Sequence, residues 1–258
     1  MRAVLNLLVI SFITVLAFSD PISRHRNEFQ VNSVSSFHES STKPSNFSAV
    51  WQLLRKVDTV ELPLDHFGST NLIFHNRYLA STEHYQPGGP VLLYDVGEGD
   101  AFDYHDGHFA ADFLDDTSRV RKTASELGAV LIRWEHRFYG NSTPWASPRT
   151  SVFNHSAALF EFHTFEQALA DIAAFAWDFS HPELTHVDLT PKGSPWVFIG
   201  ASYPGLRASW MRQLYPQTVH IAYASSAPVQ GHVNNSAYFD IIWQSMESHG
   251  FGNCRSKR

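Results

Sequence analysis

The sequence predicts an α/β fold in which a mostly parallel sheet is flanked by helices. Four short apolar segments are typical of buried strands, at residues 90–94, 129–134, 196–199 and 220–224. Between the second and the third of them, residues 165–179 place their apolar side chains at helical spacing. Continuous apolar strands that are separated by helices indicate parallel strands covered on both faces.

The remaining elements follow in chain order. Residues 59–62 and 72–78 are predicted to be two strands joined by a short loop. Residues 109–127 have mixed helical character. Gly128 is expected to end that helix, because glycine readily adopts the left-handed conformation found at helix C-termini. Two further helices are predicted, over residues 205–215 and 238–249.

Composition and charge exclude several classes of protein. The chain has 258 residues, of which 43% are hydrophobic and only 17% are charged, so neither a largely disordered chain nor a coiled coil is expected. The formal net charge of −6 offers no basic surface to nucleic acid. A single cysteine, Cys254, excludes a disulfide scaffold. We expect no nucleic-acid partner and no cofactor.

The N-terminus has the pattern of a secretory signal peptide. Residues 3–18 are almost wholly apolar and follow a positively charged arginine. Ala17 and Ser19 are small residues at the two positions that a signal peptidase reads, so residues 1–19 are predicted to be removed by cleavage before Asp20. The apolar run is shorter than the ~20 residues of a spanning helix. We therefore expect entry into the secretory pathway without a stable membrane anchor.

Two further features fit a secreted chain. Serines crowd residues 20–55, whose apolar residues show little periodicity, so this segment is expected to be a flexible leader or propeptide. Behind a signal peptide, N-x-S/T triplets are candidate glycosylation sites on surface loops. The triplets begin at Asn46, Asn141, Asn154 and Asn234.

One turn in the sequence points to covalent catalysis. Ser202 lies between Gly200 and Gly205, where a buried strand meets a helix, and such a turn lifts a serine hydroxyl above the sheet. The amide of Tyr203, at the start of the helix, would point at a developing oxyanion. Pro204 replaces the last glycine of the G-x-S-x-G pattern; proline suits the first helical turn, which does not use its N–H. An ordinary serine in a strand–helix turn is the alternative.

Other segments strengthen this interpretation through a family resemblance. Residues 135–142, which read EHRFYGNS, form the most distinctive block, and residues 89–94 with the following Gly97-Glu98 match in the same order. With the Ser202 region, these blocks resemble the family of lysosomal Pro-X carboxypeptidase, dipeptidyl peptidase II and thymus-specific serine protease. The similarity spans about residues 60–228. Departures from the family pattern are Val96, Ala201, Pro204 and Arg207.

The resemblance implies an α/β-hydrolase fold with a helical cap inserted after the strand that follows the nucleophile helix. It implies a secreted, lysosomal or vacuolar exopeptidase that cleaves proline-containing peptides through a Ser-Asp-His triad, with Ser202 as nucleophile. The backbone of Glu98 would line the oxyanion hole together with the amide of Tyr203. A contact of the Glu98 carboxylate with a substrate amine, or a structural role, remains an alternative.

The acid and the base of this triad are expected later in sequence than Ser202. The residues after Ser202 are too few for a cap and further strand–helix units. Residues 56–229 are therefore expected to be the N-terminal part of the hydrolase domain, and residues 230–258 the start of a truncated cap, so that this chain alone would be a feeble catalyst. The downstream histidines, none at the expected position of the base, are His220, His232 and His249.

Other interpretations stay open. An esterase or lipase of the same fold would use the same serine turn, and a catalytically inactive truncated product is the alternative that is not an enzyme. A homodimer is also left open. The acidic and histidine residues within 103–112 are expected to cap a helix rather than to bind a metal. His136, between Glu135 and Arg137, is expected to join a buried salt-bridge network that braces the sheet.

Overall fold

The computed structural model shows strands and helices in alternation, and it describes residues 47–68, 70–103, 107–115, 117–144, 157–231, 233–234 and 236–253. The chain divides into two units, Met1–Ala227 and Pro228–Arg258. The strands of the first unit are β1 (Asp58–Pro63), β2 (Ile73–Ser81), β3 (Val91–Asp95), β4 (Val130–Trp134), β5 (Trp196–Ala201) and β6 (Ile221–Ser225). Its helices are α1 (Phe47–Leu54), α2 (Gly107–Leu114), α3 (Arg119–Leu127), α4 (Phe165–Asp178) and α5 (Tyr203–Leu214), with 3₁₀ turns at Ala157–Phe162 and Pro182–Leu184.

The six strands form one sheet in the order β1-β2-β4-β3-β5-β6. β1 and β2 are antiparallel to each other, and β2 is antiparallel to β4. The other four strands are parallel, because β3 pairs with both β4 and β5, and β5 pairs with β6. One helix or a pair of helices connects each parallel strand to the next one along the chain, because parallel strands need a long crossover connection. This is the mostly parallel α/β sheet that the sequence pattern predicts and the α/β-hydrolase fold that the family resemblance implies.

Two apolar clusters cover the two faces of the sheet. Side chains alternate along β3, so that Val91 and Leu93 enter one cluster while Leu92 enters the other. The first cluster includes Leu169 of α4, and the second includes Phe109 of α2. Burial on both faces explains why the central strands read as unbroken apolar runs rather than as alternating patterns.

Helix α1 lies inside residues 20–55, where the sequence analysis expects a flexible leader. Val50 is only 2% exposed and belongs to the second cluster, against which Leu53 and Leu54 also pack. So short a helix is marginal on its own and depends on tertiary packing, which the serine-rich composition does not reveal. Residues 1–46, with the predicted signal peptide and Asn46, lie outside the described residues.

The predicted helix over residues 109–127 is two helices, α2 and α3, separated at residues 115–118. Gly128 ends α3 as predicted: it has φ 61°, and its N–H donates back to the carbonyls of Ala124 and Ser125. In the second unit, α6 (Ser236–Ser248) exposes several large apolar side chains. None of the helices in the described parts of the chain is long and apolar enough to cross a membrane.

Candidate active site

Ser202 occupies a sharp turn between the last residue of β5 and the first residue of α5. Its backbone has φ 60° and ψ −125°, a positive φ that is uncommon for a residue with a side chain. Such a conformation costs roughly 1–3 kcal/mol and persists only where its surroundings enforce it. The side chain is exposed, and within the described residues its hydroxyl has no hydrogen-bond partner. The turn therefore presents a free hydroxyl at the end of a parallel strand.

Two glycines make this turn sterically feasible. A Cβ on Gly200 would collide with the carbonyl group of Pro204, and a Cβ on Gly205 would lie 2.8 Å from the carbonyl oxygen of Ser225. The N–H of Ser202 donates to that same carbonyl across 2.9 Å, which fastens the turn to the end of β6. Close backbone contact therefore explains why both positions need the smallest residue.

The loop after β3 approaches the first turn of α5. Gly97 has φ +84°, and a Cβ there would lie 2.5 Å from Cγ of Pro204. Glu98, the next residue, is exposed. The structure thus brings the Glu98 loop beside the turn that carries Ser202 and Tyr203. All three residues named from the sequence lie at one end of the parallel strands, where α/β enzymes bind their ligands.

His136 is buried and contacts Tyr203, the residue that follows Ser202. Its Nδ1 lies 2.6 Å from the carbonyl oxygen of Arg137, so Nδ1 carries the proton, and Nε2 accepts a hydrogen bond of 3.0 Å from the hydroxyl of Tyr203. Burial, and next the positive charge of Arg207, hold the pKa of His136 well below its usual value of 6.5. The imidazole is therefore neutral, and among the described residues it forms no salt bridge, in contrast to the network expected from the sequence.

The two neighbours of His136 do form buried ion pairs. Glu135 accepts hydrogen bonds of 2.7 and 2.6 Å from Arg77, and also accepts from the amide of Ala101 and from Ser142. Burial raises the pKa of Glu135 above its usual value, although Arg77 opposes that change. Arg137 donates two hydrogen bonds of 2.6 Å to Asp171 on α4. These pairs brace the segment after β4 against neighbouring loops and α4.

A further buried pair links α5 to the end of β3, and sequence reasoning missed one of its members. Arg207 Nη1 lies 2.7 Å from Oδ2 of Asp95, and both side chains are fully buried. Arg207 stands out in the sequence as a charge within the helix that follows Ser202. Because a buried charge needs a partner, the acid that ends an apolar strand was the signal that could have identified Asp95.

The described histidines do not complete a catalytic triad around Ser202. His220 accepts a hydrogen bond from the amide of Trp196, and His249 follows α6 in the second unit. His66 contacts Asp171 across 2.7 Å, but Arg137 already occupies that carboxylate. No described histidine is hydrogen-bonded to the Ser202 hydroxyl, and His232 lies outside the described residues.

The candidate glycosylation sites, Cys254 and the 103–112 segment are the other features singled out from the sequence. Asn141 lies in an exposed turn, and Asn234 is exposed in the second unit; Asn154 and Cys254 lie outside the described residues. In the 103–112 segment, Asp112 forms an ion pair with Arg133. Where the structure describes the chain, no three histidine, cysteine or acidic side chains are grouped so that they could hold a metal ion.

The chain resembles known proteins over most of its length. Residues 62–257 match a family model described as serine carboxypeptidase S28. Lysosomal Pro-X carboxypeptidase of Mus musculus is 36% identical over 198 residues, which cover 74% of this chain and 36% of that protein. Prolyl carboxy peptidase like protein 5 of Caenorhabditis elegans is 33% identical over 171 residues, which cover 66% of this chain and 30% of that protein.

These alignments also show how much of each relative is represented. The chain spans about a third of the length of these two curated relatives. A solved structure of a hydrolytic enzyme from Pseudomonas aeruginosa PAO1 aligns with 63% of this chain and 38% of that protein, at 18% identity and a TM-score of 0.35. That structural similarity is too low to add to the fold assignment.

Proposed function

We propose that this chain, which belongs to the serine carboxypeptidase S28 family, supplies the nucleophile and the oxyanion hole of a serine-type exopeptidase. The observation that carries the proposal is the backbone of Ser202, held at φ 60° and ψ −125° between a parallel strand and the start of a helix. The same turn in α/β-hydrolases raises a nucleophilic serine above the sheet. Ser202 is therefore assigned as the catalytic residue.

The reaction follows from the atoms around this turn. The Ser202 hydroxyl oxygen forms a bond to the carbonyl carbon of the substrate, and the electron pair of the C=O bond moves to the oxygen. The amide of Tyr203 and the backbone N–H of Glu98 would stabilise that oxyanion, since the N–H of Gly97 is already donated to Asp95. As the Ser202 oxygen attacks, a general base takes the hydroxyl proton; when the intermediate collapses, the C–N bond breaks and the base gives that proton to the leaving amine. Water then hydrolyses the acyl-enzyme.

The general base is expected to be a histidine outside the described residues. A serine hydroxyl is a weak nucleophile near neutral pH until a base removes its proton. The buried His136 does not serve, because its Nε2 accepts a hydrogen bond from Tyr203 and its Nδ1 donates to the carbonyl of Arg137. We expect the base, oriented by a carboxylate, to approach Ser202 from the solvent side, where the hydroxyl is exposed.

We propose peptides with a proline beside the scissile bond as the substrates. Two relatives that this chain resembles are named Pro-X carboxypeptidase and prolyl carboxy peptidase like protein. Turnover of matched peptides with proline or alanine at the position beside the scissile bond tests the preference. Equal kcat/KM values for the two peptides would contradict it, and hydrolysis of a fatty acyl ester without cleavage of either peptide would favour an esterase.

Covalent labelling tests the nucleophile directly. The complete gene product, expressed in a secretory host, is treated with a fluorophosphonate, which phosphonylates an activated serine with loss of fluoride. Ser202→Ala is expected to abolish labelling. Ser209→Ala is the matched control, because Ser209 lies on the same helix but donates its hydroxyl to the carbonyl of Gly205. Labelling that persists in Ser202→Ala would place the nucleophile elsewhere.

We also propose that the protein enters the secretory pathway and is released or delivered to a lysosome. A relative from Arthroderma benhamiae that is 30% identical over 195 residues, which cover 72% of this chain and 25% of that protein, is named as an extracellular serine carboxypeptidase. Asn234 is exposed, so it offers a glycosylation site. A secreted product that starts at Asp20 and loses mass on glycosidase treatment is expected; an intact Met1 would contradict the proposal.

A further inference from the structure

Two opposite charges are buried together next to the nucleophile turn. Arg207 lies five residues after Ser202 on α5, and Asp95 is the last residue of β3. Both side chains are 0% exposed, and Nη1 of Arg207 lies 2.7 Å from Oδ2 of Asp95. The pair therefore joins the helix that begins at the nucleophile to the strand that leads into the Glu98 loop.

Each member of the pair also forms a hydrogen bond with a backbone group. The second carboxylate oxygen of Asp95 accepts a hydrogen bond of 3.0 Å from the N–H of Gly97. Nη2 of Arg207 donates to the carbonyl of Ala168 on α4 across 2.9 Å, and its guanidinium carbon lies 6.0 Å from the ring centre of Tyr203. One chain of contacts therefore runs from α4 through the ion pair to the loop that is placed to receive the oxyanion.

Stabilisation of the folded state does not explain the Asp95–Arg207 ion pair. Removing two charges from water costs several kcal/mol per ion, and replacing a buried pair by apolar residues is often neutral or stabilising. The contact is also poorly aligned: Oδ2 of Asp95 and Nε and Nη1 of Arg207 have no hydrogen-bond partner within the described residues. Burial raises the pKa of Asp95 above its usual value, even though Arg207 opposes the change. Because this buried ion pair costs free energy, its position beside the Ser202 turn indicates that it orients the neighbouring backbone.

We propose that Asp95 and Arg207 are positioning residues, whose ion pair couples the Gly97–Glu98 loop to the nucleophile helix and thereby fixes the loop backbone relative to Ser202. This inference rests on the proposed function, because the loop is assigned to the oxyanion hole of that site. Without the pair, the loop would still contact Pro204 but would lose its link to Arg207. Loss of a whole oxyanion-hole donor costs about 100- to 1,000-fold in turnover, so misplacing one is expected to cost about 10- to 100-fold.

The experiment compares Asp95→Asn, Arg207→Met and the double variant in the complete gene product. Each single variant leaves one polar partner buried alone, whereas the double variant is neutral and keeps an acceptor for the Gly97 N–H. Melting temperature reports stability, and the second-order rate of fluorophosphonate labelling reports Ser202 reactivity. The double variant is expected to melt close to the wild type yet to label about 10- to 100-fold more slowly, with the loss in peptide hydrolysis falling on kcat rather than on KM.

A double variant that labels at the wild-type rate would overturn the inference. If the double variant does not fold, Arg207→Lys decides the question, because lysine keeps the charge but loses the planar fork that reaches Ala168. Labelling within about threefold of the wild type would support the ion pair as the positioning contact. A tenfold loss at an unchanged melting temperature would overturn it in favour of the Ala168 contact. If the Ser202→Ala variant is labelled at the wild-type rate, that result would instead contradict the proposed function.

Discussion

The hydroxyl of Tyr203 donates a hydrogen bond of 3.0 Å to Nε2 of His136, so the residue after Ser202 is connected to the segment that follows β4. Burial raises the pKa of Tyr203 above its usual value of 10, which keeps the phenol protonated as a donor. The side chain of Tyr203 therefore supports the turn, while its amide is free to serve the proposed oxyanion hole.

Removing this hydroxyl should affect stability more than reactivity. In Tyr203→Phe, the buried Nε2 of His136 loses its donor, at a cost of about 1–3 kcal/mol in the free energy of unfolding. The amide is retained, so the labelling rate of Ser202 should stay within about threefold of the wild type. Urea unfolding and fluorophosphonate labelling measure the two effects. Tyr223→Phe, an exposed tyrosine on β6, is the control, and a large loss of labelling in Tyr203→Phe alone would contradict this division.

His136 should make the stability of the protein depend on pH. Its pKa in the folded state is well below the usual 6.5, so below that pH the unfolded chain binds a proton that the folded protein does not. The free energy of unfolding therefore falls as the pH drops below about 6.5, by at most about 1.4 kcal/mol per pH unit for this group. His136→Gln should flatten the profile below pH 6.5. His75→Gln, at an exposed position on β2, is the control; an equally steep profile in His136→Gln would refute the assignment.

Gly200→Ala should displace the turn that carries Ser202 and slow the labelling of this serine. The added methyl group would meet the carbonyl group of Pro204, and the backbone there cannot move without displacing α5. Overpacking of this kind costs about 1–3 kcal/mol, and a displacement of about 1 Å at the turn would slow labelling about 100-fold. Gly231→Ala is the control, because a Cβ there meets no atom within 4 Å. Wild-type labelling by Gly200→Ala would show that the turn tolerates the methyl group.

The two carboxylates that bind Arg77 should differ sharply in their contribution to stability. Glu135 is fully buried, whereas the Asp100 side chain is 41% exposed. Glu135→Gln leaves Arg77 without its buried partner and should cost about 3–5 kcal/mol. Asp100→Asn removes a solvent-screened charge and should cost less than about 1 kcal/mol. Thermal unfolding of the two isosteric variants gives the comparison, and equal losses would mean that burial does not govern this cluster.

Local pattern predicted those features that depend on neighbouring residues in the chain. The unbroken apolar runs became β3, β4 and β5, because strands buried on both faces need apolar side chains throughout. The run at residues 220–224 became β6, which is not buried as the sequence predicts: it lies at the edge of the sheet with Ile221 and Tyr223 exposed. Gly128 ended a helix, since it reaches the left-handed conformation without a penalty. Helix α1 was not predicted, because its short apolar stripe is stable only against the second apolar cluster.

The sequence by itself determined the α/β architecture and singled out Ser202, because a glycine-flanked serine between an apolar strand and a helix encodes its own turn. Only the tertiary structure decided that Arg207 pairs with Asp95, more than 100 residues away, and that His136 is neutral and bound to Tyr203. The physical reason is that a buried charge or imidazole takes its partner and its protonation state from groups that the fold brings together, and separation along the chain does not encode that proximity.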